Sequence, residues 1–392
     1  MDKYLQELEK EIIDARHYLH SIPEAAFEEV QTSKFLKEKL EAYGYKVYTN
    51  YGKTGLVAEL IKGESEKSIA FRSDIDCIKV QEINDLSYKS QNEGRMHACG
   101  HDGHMATMLG AAKIIADKID FNGKVYFVFQ PAEEPGYGSQ AMIEDGLFRD
   151  FKIDEIYGFH NMPSLDEGKL YTKIGGIMAS EDNFTIKIKG RGGHASAPNL
   201  TIDPMVIAAN IIMALQTIVS RNADPVDTAV VSCTEILTDG AHNAIPSNAT
   251  ILGDCRSFDK EVSSLIEKRM KDITENICKA YGAEYEFSYT HEFLPTINYK
   301  EQCQVVIDAA KSVLGEENVV EDCKPMMSSE DFAHYLNEIP GCFSFIGGRI
   351  KNSDKPVYNL HNHQFDYNDG ILIKGAQVFG EIVRIRLSSD YW

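Results

Sequence analysis

The chain has 392 residues, 43% of them hydrophobic, and a formal net charge of −20 from 40 basic and 60 acidic side chains. That length allows two or three domains with a sizeable core, and the acidic balance argues against nucleic acid as the main partner, since phosphate binding needs a basic surface. No run reaches the roughly 18 apolar residues of a membrane span, and the charged opening, MDKYLQELEKEIIDARHYLH, has no apolar core of the signal-peptide kind, so the expected location is the cytoplasm, with no membrane partner.

Helical periodicity covers 3–20 and 28–43. Apolar runs that read as strands follow at 55–60, 68–74, 124–130 and 153–160, with a helix expected from His101 to Lys118 between them. Buried strands alternating with helices predict an α/β domain with a largely parallel sheet, whose ligands bind beyond the carboxyl ends of the strands. From about residue 181 the pattern changes. Strands at 184–190, 228–237, 249–258 and 284–290 enclose helices at 203–220 and 261–281, with Asp203 and Pro204 at N-cap and N1. That order, β-α-β-β-α-β, is the ferredoxin-like or split βαβ arrangement. The expected organisation is a discontinuous domain over 1–180 and 292–392, interrupted by an inserted domain over 181–291. The chain is expected to close with a helix at about 368–387.

Eight cysteines are scattered without the spacing of a disulfide framework or a zinc knuckle. Seven read as small buried hydrophobes. Cys99 differs, because His97-Ala98-Cys99-Gly100-His101-Asp102-Gly103-His104 gathers three imidazoles and a thiol at a helix start. One histidine there would more often cap or pack. This density points to Zn²⁺, Mn²⁺ or Co²⁺, with the helix dipole expected to favour the thiolate.

Gln130-Pro131-Ala132-Glu133-Glu134-Pro135-Gly136 follows an apolar strand directly. Neighbouring carboxylates on a loop point in different directions, so a ligand and a general base are the natural division. An acidic surface loop is the bland alternative. His160 at a strand end reads more often as structural than as ligating, and His361 in Leu360-His361-Asn362-His363 has the same ambiguity. Asp74 and Asp76 could orient an imidazole from behind or cap a turn. In the insert, Gly190-Arg191-Gly192-Gly193-His194 follows a strand. It lacks the lysine of a phosphate-binding loop, and His194 could polarise a carbonyl. Arg256 follows a strand that reads as buried and would want an anionic partner. Asn243 is a candidate polar contact.

Taken together, RSDID (72–76), MHACGHDGHMA (96–106), FQPAEEPG (129–136), FHNMP (159–163), GRGGHASAP (190–198), NAIPSNATILGDCRSF (243–258), SSEDFAHYL (328–336) and LHN (360–362) resemble the M20 metallopeptidases and aminoacylases, in particular the N-acyl-amino-acid amidohydrolases. The resemblance implies two divalent metal ions, Mn²⁺ or Zn²⁺ with Co²⁺ as a third option. Cys99 would bridge them, and His101, Glu134, His160 and His361 would complete the set. It implies Glu133 as general base, Asp76 as support behind a ligand, His194 as a catalytic group reaching a partner's site, and Asn243 with Arg256 on the substrate carboxylate. It further implies a homodimer formed through the insert, able to pair further, and a small N-acyl amino acid as substrate. A di- or aminopeptidase of the same fold is the alternative, and a metal- or carboxylate-binding protein without catalysis is a more remote one. Relatives usually read RADMDALP where this chain has RSDIDCIK, so Cys77 and Lys79 depart from the pattern. So does His363, where proline is common. These departures leave side-chain preference open.

Overall fold

The computed structural model describes residues 2–350 and 356–388. The chain divides into two compact units: 1–175 with 298–324 and 331–392, and 176–297 with 325–330.

In chain order the first unit begins with helices α1 (Lys3–Ser21) and α2 (Val30–Ala42) and strands β1 (Lys46–Tyr51), β2 (Gly55–Lys62) and β3 (Ser68–Asp74). Helix α3 (His101–Lys118) and strands β4 (Gly123–Gln130) and β5 (Glu155–Asp166) follow. The second unit supplies β6 (Glu181–Lys189), α4 (Pro204–Thr217), β7 (Ala229–Thr238), β8 (Asn248–Ser257), α5 (Lys260–Tyr281) and β9 (Glu284–Phe293). The first unit then resumes with α6 (Lys300–Leu314), β10 (Gly341–Arg349) and α7 (Leu372–Leu387).

The first unit holds an eight-stranded mixed sheet, ordered β1-β2-β4-β3-β5-β10 and then the short strands Leu170–Tyr171 and Val319–Val320. β4, β3, β5 and β10 run parallel, and β1 and β2 add antiparallel at the edge. Helices α1, α3 and α7 bury Ile12, Leu19, Leu109, Ile115, Ala376 and Phe379 together with Phe71 and Phe127 of the sheet. Every residue of β3 is buried, the apolar Ile69, Ala70 and Phe71 as well as the polar Ser68, Arg72, Ser73 and Asp74.

Arg72 is the one cation in that strand. At 1% exposure its guanidinium requires partners inside the protein. Nε donates to Gln130 Oε1 at 2.8 Å, Nη1 to Asp74 Oδ2 at 2.9 Å and Nη2 to Asp331 Oδ1 at 2.9 Å. Gln130 Nε2 and the Ser139 backbone N–H also donate to Asp331. This network ties the carboxyl ends of β3 and β4 to residue 331 and to the loop after β4.

The second unit is a four-stranded antiparallel sheet, β7-β8-β6-β9, and its element order is the expected β-α-β-β-α-β. Asp203 caps α4 by accepting from the Met205 N–H, with Pro204 in the first turn. Strand β8 alternates strictly between buried and half-exposed residues, so the reading of a buried strand before Arg256 is corrected. Arg256 lies inside the strand, on its half-exposed face. The helix Pro204–Asn222 is long and apolar enough to cross a membrane, with a mean hydropathy of 1.4 and 33% of its window buried. The sequence reading passed over it because Asn210, Gln216 and Ser220 interrupt the apolar run. Its buried residues, Ile207, Ala208, Ile211, Leu215 and Ile218, recur at helical spacing and pack in the core of this unit.

Replacing Arg72 with Leu strands Asp74 and Asp331 as buried, uncompensated carboxylates. The expected cost is about 3–5 kcal/mol. Urea unfolding checks it; a loss under 1 kcal/mol would show that the network is not what holds this edge together.

Candidate metal centre

The carboxyl ends of β3 and β4 and the middle of β5 carry the polar residues, and the start of α3 lies among them; β5 runs on to Asp166, so the expectation that His160 ends its strand is corrected. Gly100 is the N-cap of α3 at φ 95, the left-handed region, and its Cβ position lies 2.4 Å from Asn161 Oδ1. Only glycine fits this turn, which places Cys99 before the helix and His101 on its first residue.

His101 is fully buried. Its Nδ1 lies 2.9 Å from the Asp76 carbonyl oxygen and 3.2 Å from Asp76 Oδ1. Both are acceptors, so Nδ1 carries the hydrogen, and the other nitrogen of a neutral ring is a bare lone pair. That Nε2 is buried without a hydrogen-bond partner, as is Glu134 Oε1, 3.9 Å away. His160 repeats the pattern: Nδ1 donates to the Asn161 carbonyl at 2.7 Å, and Nε2 faces Cys99 Sγ at 3.4 Å. His361 sits at φ 66, held by its N–H to the Ala98 carbonyl at 2.8 Å, and its Nε2 lies 3.4 Å from Glu134 Oε2.

The five expected ligands therefore come together in two groups. Donor atoms of Cys99, His101 and His160 lie within 4.8 Å of one another, and so do those of Cys99, Glu134 and His361. Cys99 is common to both, the arrangement a bridging thiolate requires. Orphaned buried lone pairs on an imidazole and a carboxylate, beside a thiol, fit a pair of divalent cations of the Zn²⁺ or Mn²⁺ kind.

Glu133 Oε2 lies 3.8 Å from His101 Nε2, and its carboxylate groups with His101 and Glu134 but not with Cys99. Asp76 touches two ligand residues, since its Oδ2 also accepts the Glu134 N–H at 3.2 Å.

The loop carrying both glutamates is gripped from behind. Ala132, at φ 50, is in the left-handed region, a strained conformation for alanine. Its N–H donates to buried Glu29 Oε1 at 3.0 Å, while the Thr54 hydroxyl donates to Glu29 Oε2. Burial pushes the Glu29 carboxyl up to about 7. Neither Glu29 nor Asp331 stood out in the sequence. Glu29 falls inside the helix expected over 28–43 and reads as an ordinary helix residue, and nothing in SSEDF signals that both of its acids, Glu330 and Asp331, are buried.

Two histidines of the cluster are not in the ligand groups with Cys99. His104 Nδ1 donates to Asp74 Oδ1 at 2.7 Å, and its Nε2 meets Asn161 at 2.7 Å. His97 is buried with both ring nitrogens unpaired, and burial pushes it down to about 3.

The expected thiolate is corrected. Cys99 precedes the cap residue and is buried. Burial, followed by Glu134, Glu133 and Asp74, pushes its thiol well above the ordinary value. Burial first, and then the three carboxylates, disfavour the thiolate. For His101, burial disfavours the charge, but Asp74, Asp76 and Glu134 raise it to about 10. The site is a negative basin that holds protons where a cation would sit.

In the second unit, His194 and Asn243 are both exposed. They belong to a small two-stranded ribbon in which His194 pairs with Ala244, and the Asn243 carbonyl accepts the Ala195 N–H at 3.0 Å. His194 Nδ1 accepts from the Ser196 backbone N–H at 3.1 Å and lies 2.7 Å from Ser196 Oγ. The neutral ring thus presents Nε2–H outward. Arg256 is ion-paired to Glu181 at 2.9 Å and to Asp254 at 3.1 Å.

Residues 70–385 match the model of peptidase family M20/M25/M40. The chain belongs to this family. It is 40% identical to the hippurate hydrolase of Campylobacter jejuni over 96% of both chains. It is 37% identical to an N-acetyl-L-cysteine deacetylase of Bacillus subtilis, over 98% of this chain and 90% of that one. Among solved structures, a dinuclear metal binding peptidase of the M20 family from Bacillus subtilis superposes with a TM-score of 0.83 at 32% identity, covering 98% of this chain and 99% of that one. The chain is thus a metal-dependent amidohydrolase of the M20 type.

A cation entering this basin must displace the protons of Cys99 and His101. Apparent affinity for Zn²⁺ or Mn²⁺ is therefore expected to rise from pH 6 to 9, with proton release visible in calorimetry across buffers of different ionisation enthalpy. Flat affinity over that range would contradict the assignment. Gly138→Ala tests the loop: its Cβ would lie 1.6 Å from the Pro131 carbonyl oxygen, and the expected result is loss of metal by atomic absorption in a chain that keeps its helical circular dichroism.

Proposed function

We propose that this protein hydrolyses the amide bond of N-acyl amino acids, N-acetyl or N-aroyl, releasing a carboxylic acid and a free amino acid. The observation that carries the reading is the sharing of Cys99 between two donor groups, with Glu133 beside them but outside both. The names of the two curated relatives support the substrate class.

Cys99, His101, His160, Glu134 and His361 would hold two divalent cations, Mn²⁺ or Zn²⁺, with Co²⁺ as a third option. Such cations, when bound, lower the pKa of water toward neutrality and polarise a carbonyl. Glu133 is the base that takes the proton from the attacking water and passes it to the leaving amine. Asp76 fixes the His101 tautomer and the Glu134 backbone. The His194 Nε2–H donates to the oxygen on which negative charge develops. Arg256 and Asn243 receive the free carboxylate, which orients the acyl carbonyl.

The second unit is the proposed dimer surface. Met213 is 72% exposed and Leu237, on edge strand β7, 51% exposed. An apolar helix face beside an open strand edge favours pairing with a second copy, with further pairing of dimers open to the same chemistry. Sedimentation should then show a dimer, and Leu237→Lys a monomer.

Description of the solved relative as a peptidase favours an exopeptidase as the second reading, since peptide and acyl-amide hydrolysis share this chemistry. Amine release from N-acetyl, N-benzoyl and dipeptide substrates separates them. Metal-reloaded enzyme is expected to prefer the N-acyl amino acids, and Glu133→Gln to lose at least about 10³-fold in kcat while keeping its metal. Cleavage of dipeptides alone would overturn the proposal, and loss of metal in Glu133→Gln would overturn the role given to Glu133.

A further inference from the structure

Arg256 has an acceptor for every guanidinium nitrogen within its own unit. Nε donates to Asp254 Oδ1 at 3.1 Å, Nη2 meets Glu181 Oε2 at 2.9 Å, and Nη1 donates to Ser329 Oγ at 2.7 Å and to the Met327 carbonyl at 3.2 Å. Ser329 Oγ donates in turn to Glu181 Oε2 at 3.2 Å, which closes a ring. Strand register builds the arrangement. Cys255 of β8 pairs with Asp182 of β6, so Glu181 stands one step further, beside Arg256. Asp254 lies two residues back, on the same half-exposed face.

Two carboxylates on one guanidinium leave the ring with a formal charge of about −1. A free arginine fork would attract a carboxylate ligand in bidentate fashion; this one is already neutralised. Yet the ring is not sealed, with side-chain exposures of 21% for Arg256, 30% for Glu181 and 29% for Asp254. Ion pairs this open to water are weakly held and exchange. An incoming carboxylate therefore competes with Glu181 for Nη2 rather than filling a vacancy.

We propose that Glu181 is a specificity-determining residue, an internal counter-ion that competes with the substrate's free carboxylate for Arg256 and so weakens selection for carboxylated over uncharged substrates. The inference rests on the assignment of Arg256 as the carboxylate contact made above. Removing the Glu181 charge while keeping its shape should tighten binding of the carboxylate form alone.

The test reads dissociation constants by calorimetry for N-benzoylglycine and its carboxamide, N-benzoylglycinamide. It uses the full-length metal-loaded chain carrying Glu133→Gln, in which turnover is stopped. Adding Glu181→Gln is expected to tighten N-benzoylglycine about 3- to 10-fold, the scale of one exposed charge pair, and to leave the carboxamide unchanged. Glu286→Gln, which removes an exposed charge paired with Lys187 at 3.0 Å in the same unit, is the control for net charge and should change neither. Unchanged or weaker N-benzoylglycine binding in Glu181→Gln overturns the proposal, and so does an equal effect on both ligands. Arg256→Gln separates the two layers. If it weakens N-benzoylglycine alone, the carboxylate contact stands and the Glu181 result decides. If it leaves the ratio of the two ligands unchanged, the contact and the counter-ion fall together. Binding of neither ligand to any variant overturns both readings.

Discussion

A permanent positive charge buried in the central strand of a sheet must be compensated, and Arg72 dictates how the edge of this sheet is built. Its three acceptors, Asp74, Gln130 and Asp331, come from β3, β4 and a residue more than 250 positions away in sequence. Satisfying that one guanidinium fixes the separation of the two strand ends and anchors the loop after β4. Asp74 then has a second oxygen left for His104. The imidazole ring of His104 stacks on His101 at 5.4 Å, so the charge in the core reaches a candidate ligand through three successive contacts.

What sits above that platform is electrostatically unfinished. Four carboxylates, Asp74, Asp76, Glu133 and Glu134, each approach within 4.0 Å of a ring nitrogen of buried His101, with little water to screen them. Such a cluster is costly unless protons or cations neutralise it. The chain holds its thiol protonated and its His101 charged for that reason, and the same imbalance favours divalent cations once those protons leave. Strain serves the same end: Ala132 and His361 both occupy left-handed backbone; Ala132 directly precedes the two glutamates of the site, and His361 is itself a candidate ligand. Local cost at a site is sustained because Glu29 and Ala98 grip these residues from outside.

Much of this was legible in the amino-acid order. Helix α3 begins and ends where expected, β3 spans the residues expected of it, and the two glutamates follow β4 directly, although β5 runs six residues past His160. Local pattern carries those features, since it depends on neighbours in sequence. What escaped depends on charge met in three dimensions. The thiol at a helix start reads as acidic until the carboxylates around it are seen. Arg256 reads as a lone cation seeking an anion until Glu181 and Asp254 appear at its side. Glu29 and Asp331 act through partners distant in sequence, backbone N–H groups among them, which leave no compositional mark. Arg72 was the one available signal: a charged residue inside a buried strand announces that several distant partners exist, though not which.

The first unit is assembled from three stretches of chain, whereas almost all of the second is one continuous run. During synthesis the polypeptide emerges from its N-terminus, and contiguous regions fold as units. The ferredoxin-like insert can thus mature while β10 and His361 are still unmade. Until they appear, the parallel sheet lacks an inner strand and Glu134 lacks its imidazole neighbour, so the exposed β5 edge and the half-built thiol cluster pass through a vulnerable interval. Cations present in that interval would meet a complete Cys99, His101 and His160 group, while the group of Cys99, Glu134 and His361 still lacks its histidine. The order of translation thereby gives one donor group a head start over the other in capturing metal.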